Sequence, residues 1–150
     1  MKSAPQSVGL LAVCALARGA PGACGWCGAA LPSRRRTWCS DACADDFWRN
    51  HWWSLARRAA KRRDRYRCRH CGQPQPPRPS RRRFPREADF RAAMRTWRSE
   101  RKTRRLEVNH RLPARGAHRS LSCLHHLDNL ETLCTGCHRA VTAGSTVSKP

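Results

Sequence analysis

Eight cysteines fall into four close pairs, Cys24/Cys27, Cys39/Cys43, Cys68/Cys71 and Cys134/Cys137, in a chain of only 150 residues. A gap of two or three residues lets both thiolates reach one tetrahedral ion, and thiolates hold zinc well. A disulfide framework does not need such close pairing, so the pattern predicts two structural zinc ions in a reducing compartment. One ion takes Cys24, Cys27, Cys39 and Cys43; the other takes Cys68, Cys71, Cys134 and Cys137. Four thiolates leave no open coordination position, so both sites are expected to be structural. The alternatives are redox exchange at the second quartet and four cysteines without one shared ion at the first. Metal binding also contributes folding free energy directly, which matters in a chain this polar. Cys14 and Cys123 are left over.

The remaining composition points to a polyanion. Lys and Arg number 31 against 10 Asp and Glu, a formal charge of +21 with a pI near 11.4. Such an excess repels itself unless a partner neutralises it, and a phosphate backbone does so while releasing its own counterions. Nucleic acid is the expected partner; the alternative is a basic surface that only keeps the protein soluble. No long apolar span exists in the sequence, which argues against a membrane. Lys2 followed by VGLLAVCALA at 8–17 has a loose likeness to an export signal. Export would expose eight thiols to oxidation, so a cytoplasmic location is expected, with secretion as the alternative.

Along the chain, residues 1–22 read as a disordered tail or signal-like segment. Residues 23–63 form a first metal module and a basic helix, capped by Ser40 and Asp41. Phe47, Trp48, Trp52, Leu55 and Ala59 share one face of that helix, as core residues do, while Trp53 lies off the stripe. Residues 64–143 form a second domain, interrupted by a Pro/Arg-rich insertion over 73–105. QPQPPRP at 73–79 cannot be regular helix or inner strand. Residues 86–104 suit a basic helix with Phe90, Met94 and Trp97 on one side. LEVNH at 106–110 is a short strand, RLPARGAHRSLSC a loop, and the stretch from Cys134 to about Thr142 a closing helix. Residues 144–150 are a tail.

Within 64–143, His110 ends the strand, Asn129 opens the return, and His138 directly follows Cys137. An isolated histidine is usually structural or solvated. Here the predicted zinc site joins the two segments that carry them. With EVNH followed by a proline loop, then NLETLC, then CH, the stretch from Cys68 to about Thr142 resembles an HNH endonuclease of the CxxC-flanked, zinc-stapled variety. CGWCG…WCSDAC, from Cys24 to Cys43, resembles a zinc knuckle that accompanies such domains.

The resemblance implies a ββα-metal fold, so the expected architecture is a small α+β zinc-bound protein with a four-cysteine knuckle and basic helix ahead of the HNH domain. It also implies roles. His110 matches the general base that activates water, Asn129 the middle Asn that fixes the loop, and His138 a ligand of a catalytic divalent ion. Asn109 stands where many members carry a metal-binding Asp, and a neutral amide holds a hard cation less well. Glu107, two residues back on the same strand face, is either an auxiliary ligand or a partner for one of the many arginines. His118, His125 and His126 are spare candidates; His125 and His126 precede Asn129 closely enough to line the site, with a structural role as the favoured reading.

The implied function is metal-dependent hydrolysis of DNA phosphodiesters, with two structural Zn2+ and one catalytic Mg2+, Mn2+, Ni2+ or Zn2+. An activated water, a Lewis acid and a cationic surface are what that reaction needs. The competing reading is a zinc-stabilised DNA- or RNA-binding protein with weak or no cleavage, which Asn109 favours. An RNA-directed nuclease and a secreted toxin-like nuclease are further alternatives.

Overall fold

Five α-helices and one two-stranded antiparallel sheet make up the regular structure of residues 5–114 and 116–146, the part that the computed structural model describes. The helices are α1 (Pro5–Val13), α2 (Asp41–His51), α3 (Trp53–Arg63), α4 (Glu87–Thr103) and α5 (Thr135–Thr146). The strands are β1 (Leu106–His110) and β2 (Leu130–Cys134). Among the described residues no helix is long and apolar enough to cross a membrane.

The chain divides into two compact units. The first takes residues up to Ala60 together with His110–Leu130; the second takes Lys61–Asn109 and the residues from Glu131 onward. The loop between the strands thus groups with the N-terminal half of the sequence.

In the first unit, Ser40 caps α2 as its residue type dictates, its hydroxyl accepting from the Cys43 amide at 3.2 Å. Phe47 is fully buried on α2, with Trp38 4.9 Å away and Trp26 edge-on at 6.0 Å. The Trp26 indole also donates to Asp46 at 3.0 Å, which fastens the cysteine hairpin to the helix.

The single basic helix expected through residue 63 is broken. Trp52 is extended (φ −102°, ψ 116°) and divides α2 from α3. Neither Gly nor Pro marks the break; instead His51 is fully buried at the end of α2, and α3 restarts with Ala56 and Ala60 inward. The expected stripe is therefore rephased. Trp52 is exposed, and Trp53 lies among histidines.

Part of the expected N-terminal tail is ordered. Residues 5–13 are helical, Cys14 is buried, and the Arg18 amide donates to the Trp26 carbonyl at 2.9 Å.

In the second unit, β1 alternates as a half-buried strand should: Leu106 and Val108 are buried, Glu107 and Asn109 half-buried. Leu106, Leu133, Cys68 and Cys134 form a core against which Cys137 and Val141 pack. Half of that core's buried members are thiols, so the apolar contribution is small. Helix α4 buries Met94, with Phe90 and Trp97 half-buried on its expected face. Its first turn is acidic (Glu87, Asp89) and its last basic (Arg101, Lys102), as the helix dipole favours. Lys61 donates to the Leu106 carbonyl at 2.7 Å.

Asp64 ties this unit together. Its buried carboxylate accepts from Arg63 Nε at 3.0 Å and Nη2 at 3.1 Å, and from the Thr132 amide of β2 at 3.0 Å. Burial alone raises its pKa, but the hydrogen bonds from Arg63 and Thr132 outweigh that and hold the carboxyl below its ordinary value. Asp64→Ala leaves a strand amide and a guanidinium without their acceptor, and should cost about 3 kcal/mol in denaturant unfolding at neutral pH. A depressed carboxylate stabilises above its unfolded pKa, so this contribution is complete at neutral pH. The difference between the parent and Asp64→Asn should shrink as the pH falls below about 4 through the depressed value. An unchanged unfolding midpoint in Asp64→Ala would remove Asp64 as a tie.

Candidate metal centres

Two cysteine hairpins share one local design. In each, the first cysteine's amide bonds a carbonyl across the turn (Cys24 to Ala29 at 2.8 Å, Cys68 to Gln73 at 2.9 Å). The glycine after the second cysteine bonds back to the first cysteine's carbonyl at 2.9 Å in both hairpins. Those glycines, Gly28 and Gly72, have φ of +77° and +73°, a conformation that side chains rarely adopt. CxxCG is therefore required by the turn. Each quartet is completed at a helix N-terminus: Cys39 and Cys43 flank the start of α2, and Cys134 and Cys137 the start of α5. The positive end of a helix favours thiolate.

In each quartet all four sulfurs lie within 4.8 Å of one another. Individual separations are 3.6 Å for Cys27–Cys39, 3.5 Å for Cys39–Cys43 and 3.7 Å for Cys71–Cys134. A tetrahedral ion with Zn–S bonds of about 2.3 Å would space them by about 3.8 Å. Burial works against ionisation of Cys24 and Cys68, yet backbone amides, led by those of Cys27 and Cys71, lower both to about 6. Burial, then the Cys39 thiol, pushes Cys43 up to about 12; the Cys134 thiol, then burial, does the same to Cys137. Four thiolates in so small a space need a cation. Both quartets can hold a metal ion, consistent with structural zinc.

A third group with the same property was not anticipated from the sequence. Cys14, His51, Cys123 and His126 place their donor atoms within 4.8 Å of one another in the first unit. The two cysteines read as unpaired and a histidine read as a spare therefore belong together. The available signal was the spacing of Cys123 and His126, a pair as close as the CxxC pairs; Cys14 and His51 have no local partner in sequence.

The first unit also holds His110 and Asn129. His110 Nε2 shares a hydrogen bond of 3.0 Å with Nδ1 of the buried His125. The Trp53 ring stacks on His110 at 4.6 Å, and His118 lies 5.4 Å from it. Burial, then the neighbouring His125 and His118, lowers the His110 pKa to about 4, so the imidazole is neutral at pH 7. Sequence periodicity had set Trp53 apart from the core stripe, and its partner across 57 positions could not be foreseen. Asn129 clasps the loop that follows His110. Its Oδ1 accepts from the Leu112 amide at 2.7 Å, while Nδ2 donates to the carbonyls of Leu112 at 3.1 Å and Leu124 at 2.8 Å.

Glu107, Asn109 and His138 belong to the second unit. His138 Nδ1 lies 2.6 Å from Glu107 Oε2. The His138 hydrogen bond lowers the Glu107 pKa against the opposing effect of burial, so Glu107 is a carboxylate and can only accept. Nδ1 therefore carries the proton, leaving the Nε2 lone pair as the ligand atom, the tautomer that metal-binding histidines adopt beside a carboxylate. Glu107 has a weaker contact to Arg105 at 3.7 Å, so both readings of this residue find a partner. The Asn109 amide donates to Glu131 Oε1 at 3.0 Å. This leaves Oδ1 as the atom with which Asn109 would bind a cation.

Comparison of the chain with protein-family models, with curated proteins and with solved structures returns no match.

Proposed function

We propose that this protein is a metal-dependent endonuclease of the HNH kind, hydrolysing phosphodiester bonds in DNA. The observation that carries the reading is the Asn129 clasp, three hydrogen bonds that fix the loop opening directly after His110. That is the work the resemblance assigns to a middle Asn. The order β1, clasped loop, β2, α5 agrees with a ββα unit, and the two cysteine quartets agree with two structural zinc ions.

In this reading His110 is the general base. Its Nε2 is engaged with His125 and its ring is held by Trp53; the role requires Nε2–H to donate to His125 Nδ1, which puts the lone pair on Nδ1 to take a proton from water. Trp53 and His125 position the base. His138 offers Nε2 and Asn109 offers Oδ1 to a divalent cation, with Glu107 orienting His138. When bound there, such an ion supplies Lewis-acid stabilisation of charge developing on the phosphate. The Arg-rich exposed faces of α3 and α4 supply non-specific affinity for the backbone.

One observation favours a second reading, a nucleic-acid-binding protein without cleavage. The Asn109 side chain is tied to Glu131, and as a neutral amide it is a weak ligand for a hard cation.

Supercoiled-plasmid cleavage separates the two. The full chain should cut with added Mg2+, Mn2+ or Ni2+, and an identically prepared His110→Ala protein should be slower by about a hundredfold or more. Equal rates would assign the cutting to a contaminant. Tight DNA binding with no cleavage in any metal would establish the second reading.

A further inference from the structure

We propose that Cys14, His51, Cys123 and His126 hold a third zinc ion, in a closed site of two thiolates and two imidazoles. The proposal stands independently of the nuclease reading.

The tautomer of His51 is decided by its surroundings. Nδ1 lies 2.8 Å from the Phe47 carbonyl, which can only accept, so the proton is on Nδ1 and the lone pair on Nε2. That lone pair meets Cys14 Sγ at 3.2 Å and His126 Nε2 at 2.9 Å, and His126 Nε2 meets Cys14 Sγ at 3.4 Å. Edges of a zinc tetrahedron are about 3.4 Å for N–N and about 3.5 Å for N–S, so these three donors already outline one face, slightly contracted, with Cys123 Sγ within 4.8 Å of each as the fourth. A carbonyl fixing the distal nitrogen of a liganding imidazole is the usual outer support of such sites.

The donor set selects the ion. Two thiolates and two imidazoles in tetrahedral array suit Zn2+ and do not suit Mg2+ or Ca2+, which take oxygen. Four protein ligands leave no open position, so the site is structural. His51 and Cys14 are buried, with His51 also stacked on Phe47 at 4.3 Å. The ion would join three pieces of the first unit that are far apart in sequence: the coil after α1, the last turn of α2, and the turn over Cys123–His126. His125, which touches His110, sits between two of the ligands. Removal of residues 1–17 would take one ligand with it.

Native mass spectrometry of the full chain, expressed in zinc-supplemented medium, tests this. The expected result is three zinc ions per parent chain and two per Cys14→Ser chain. Two or fewer in the parent would overturn the proposal. So would three in the variant, or a parent mass 2 Da light from a Cys14–Cys123 disulfide. If Cys14→Ser does not fold, cobalt-substituted parent decides instead. A d–d envelope with a component from mixed sulfur and nitrogen ligation, besides the all-sulfur one, supports the site. An all-sulfur spectrum alone sinks it.

Discussion

Replacing Cys134 by serine should unfold the second unit and release one zinc ion from the chain. The size of the effect follows from what the unit is built on. Cys68 and Cys134 are two of the four buried members of its main cluster, with Cys137 beside them; the apolar remainder there is Leu106, Leu133 and the half-buried Val141, to which the unit adds buried Val108 and Met94. So few aliphatic side chains bury too little area to offset the entropy of ordering the unit. Structural zinc contributes on the order of 10 kcal/mol of binding free energy in small domains, more than a whole domain's usual net stability. Serine is a poor zinc ligand, and it leaves three thiols in a pocket shaped for four. Far-UV circular dichroism should lose much of the α4 and α5 signal, and metal analysis should fall by one ion. Since ligands must be deprotonated, acidification should strip the parent in the same way. A Cys134→Ser protein with unchanged spectrum, melting behaviour and metal content would show that the quartet does not hold the unit together.

The second large effect concerns salt. Affinity for a short DNA duplex should fall by about a thousandfold or more between roughly 50 and 200 mM monovalent salt, the loss expected for six or more phosphate contacts. Charge alone motivates the number, since the chain carries +21. The structure identifies which cations are available. Arg57 and Arg58 on α3 and Arg91, Arg95, Arg98 and Arg101 on α4 are exposed, though Arg91 also pairs with Glu87 at 3.0 Å. Lys61 and Arg63 are engaged inside the second unit, at the Leu106 carbonyl and at Asp64. Charge reversal at Arg95 and Arg98 should therefore reduce the salt slope, while loss of Arg63 should act through stability. A binding constant indifferent to salt would leave the basic surface without a phosphate partner.

Sequence and structure agree where the physics is local. CxxCG places two thiols on one turn whatever surrounds it, so the hairpin pair of each quartet could be read from spacing. The faces of β1 and α4 follow from alternation and from helical period, and the Ser40 cap from its own hydroxyl. Disagreement begins where an interaction spans the chain. The break at Trp52 has no local marker; it accompanies the burial of His51. Trp53 meets His110 across 57 positions, and Asp64 meets the Thr132 amide across 68. Glu107 also needed coordinates, because only the position of His138 shows which of its candidate partners is the closer.

By itself the sequence determined the cysteine hairpins, the basic character, the helical and strand segments, and the order His110, Asn129, His138. Each depends on residues close enough in the chain for covalent geometry to set their spacing. Tertiary structure alone decided that Cys14 and Cys123 join His51 and His126, that Asn129 clasps Leu112 and Leu124, and that Glu107 fixes the His138 tautomer. Those pairings close long loops, and no short-range pattern of residues records which ends will meet.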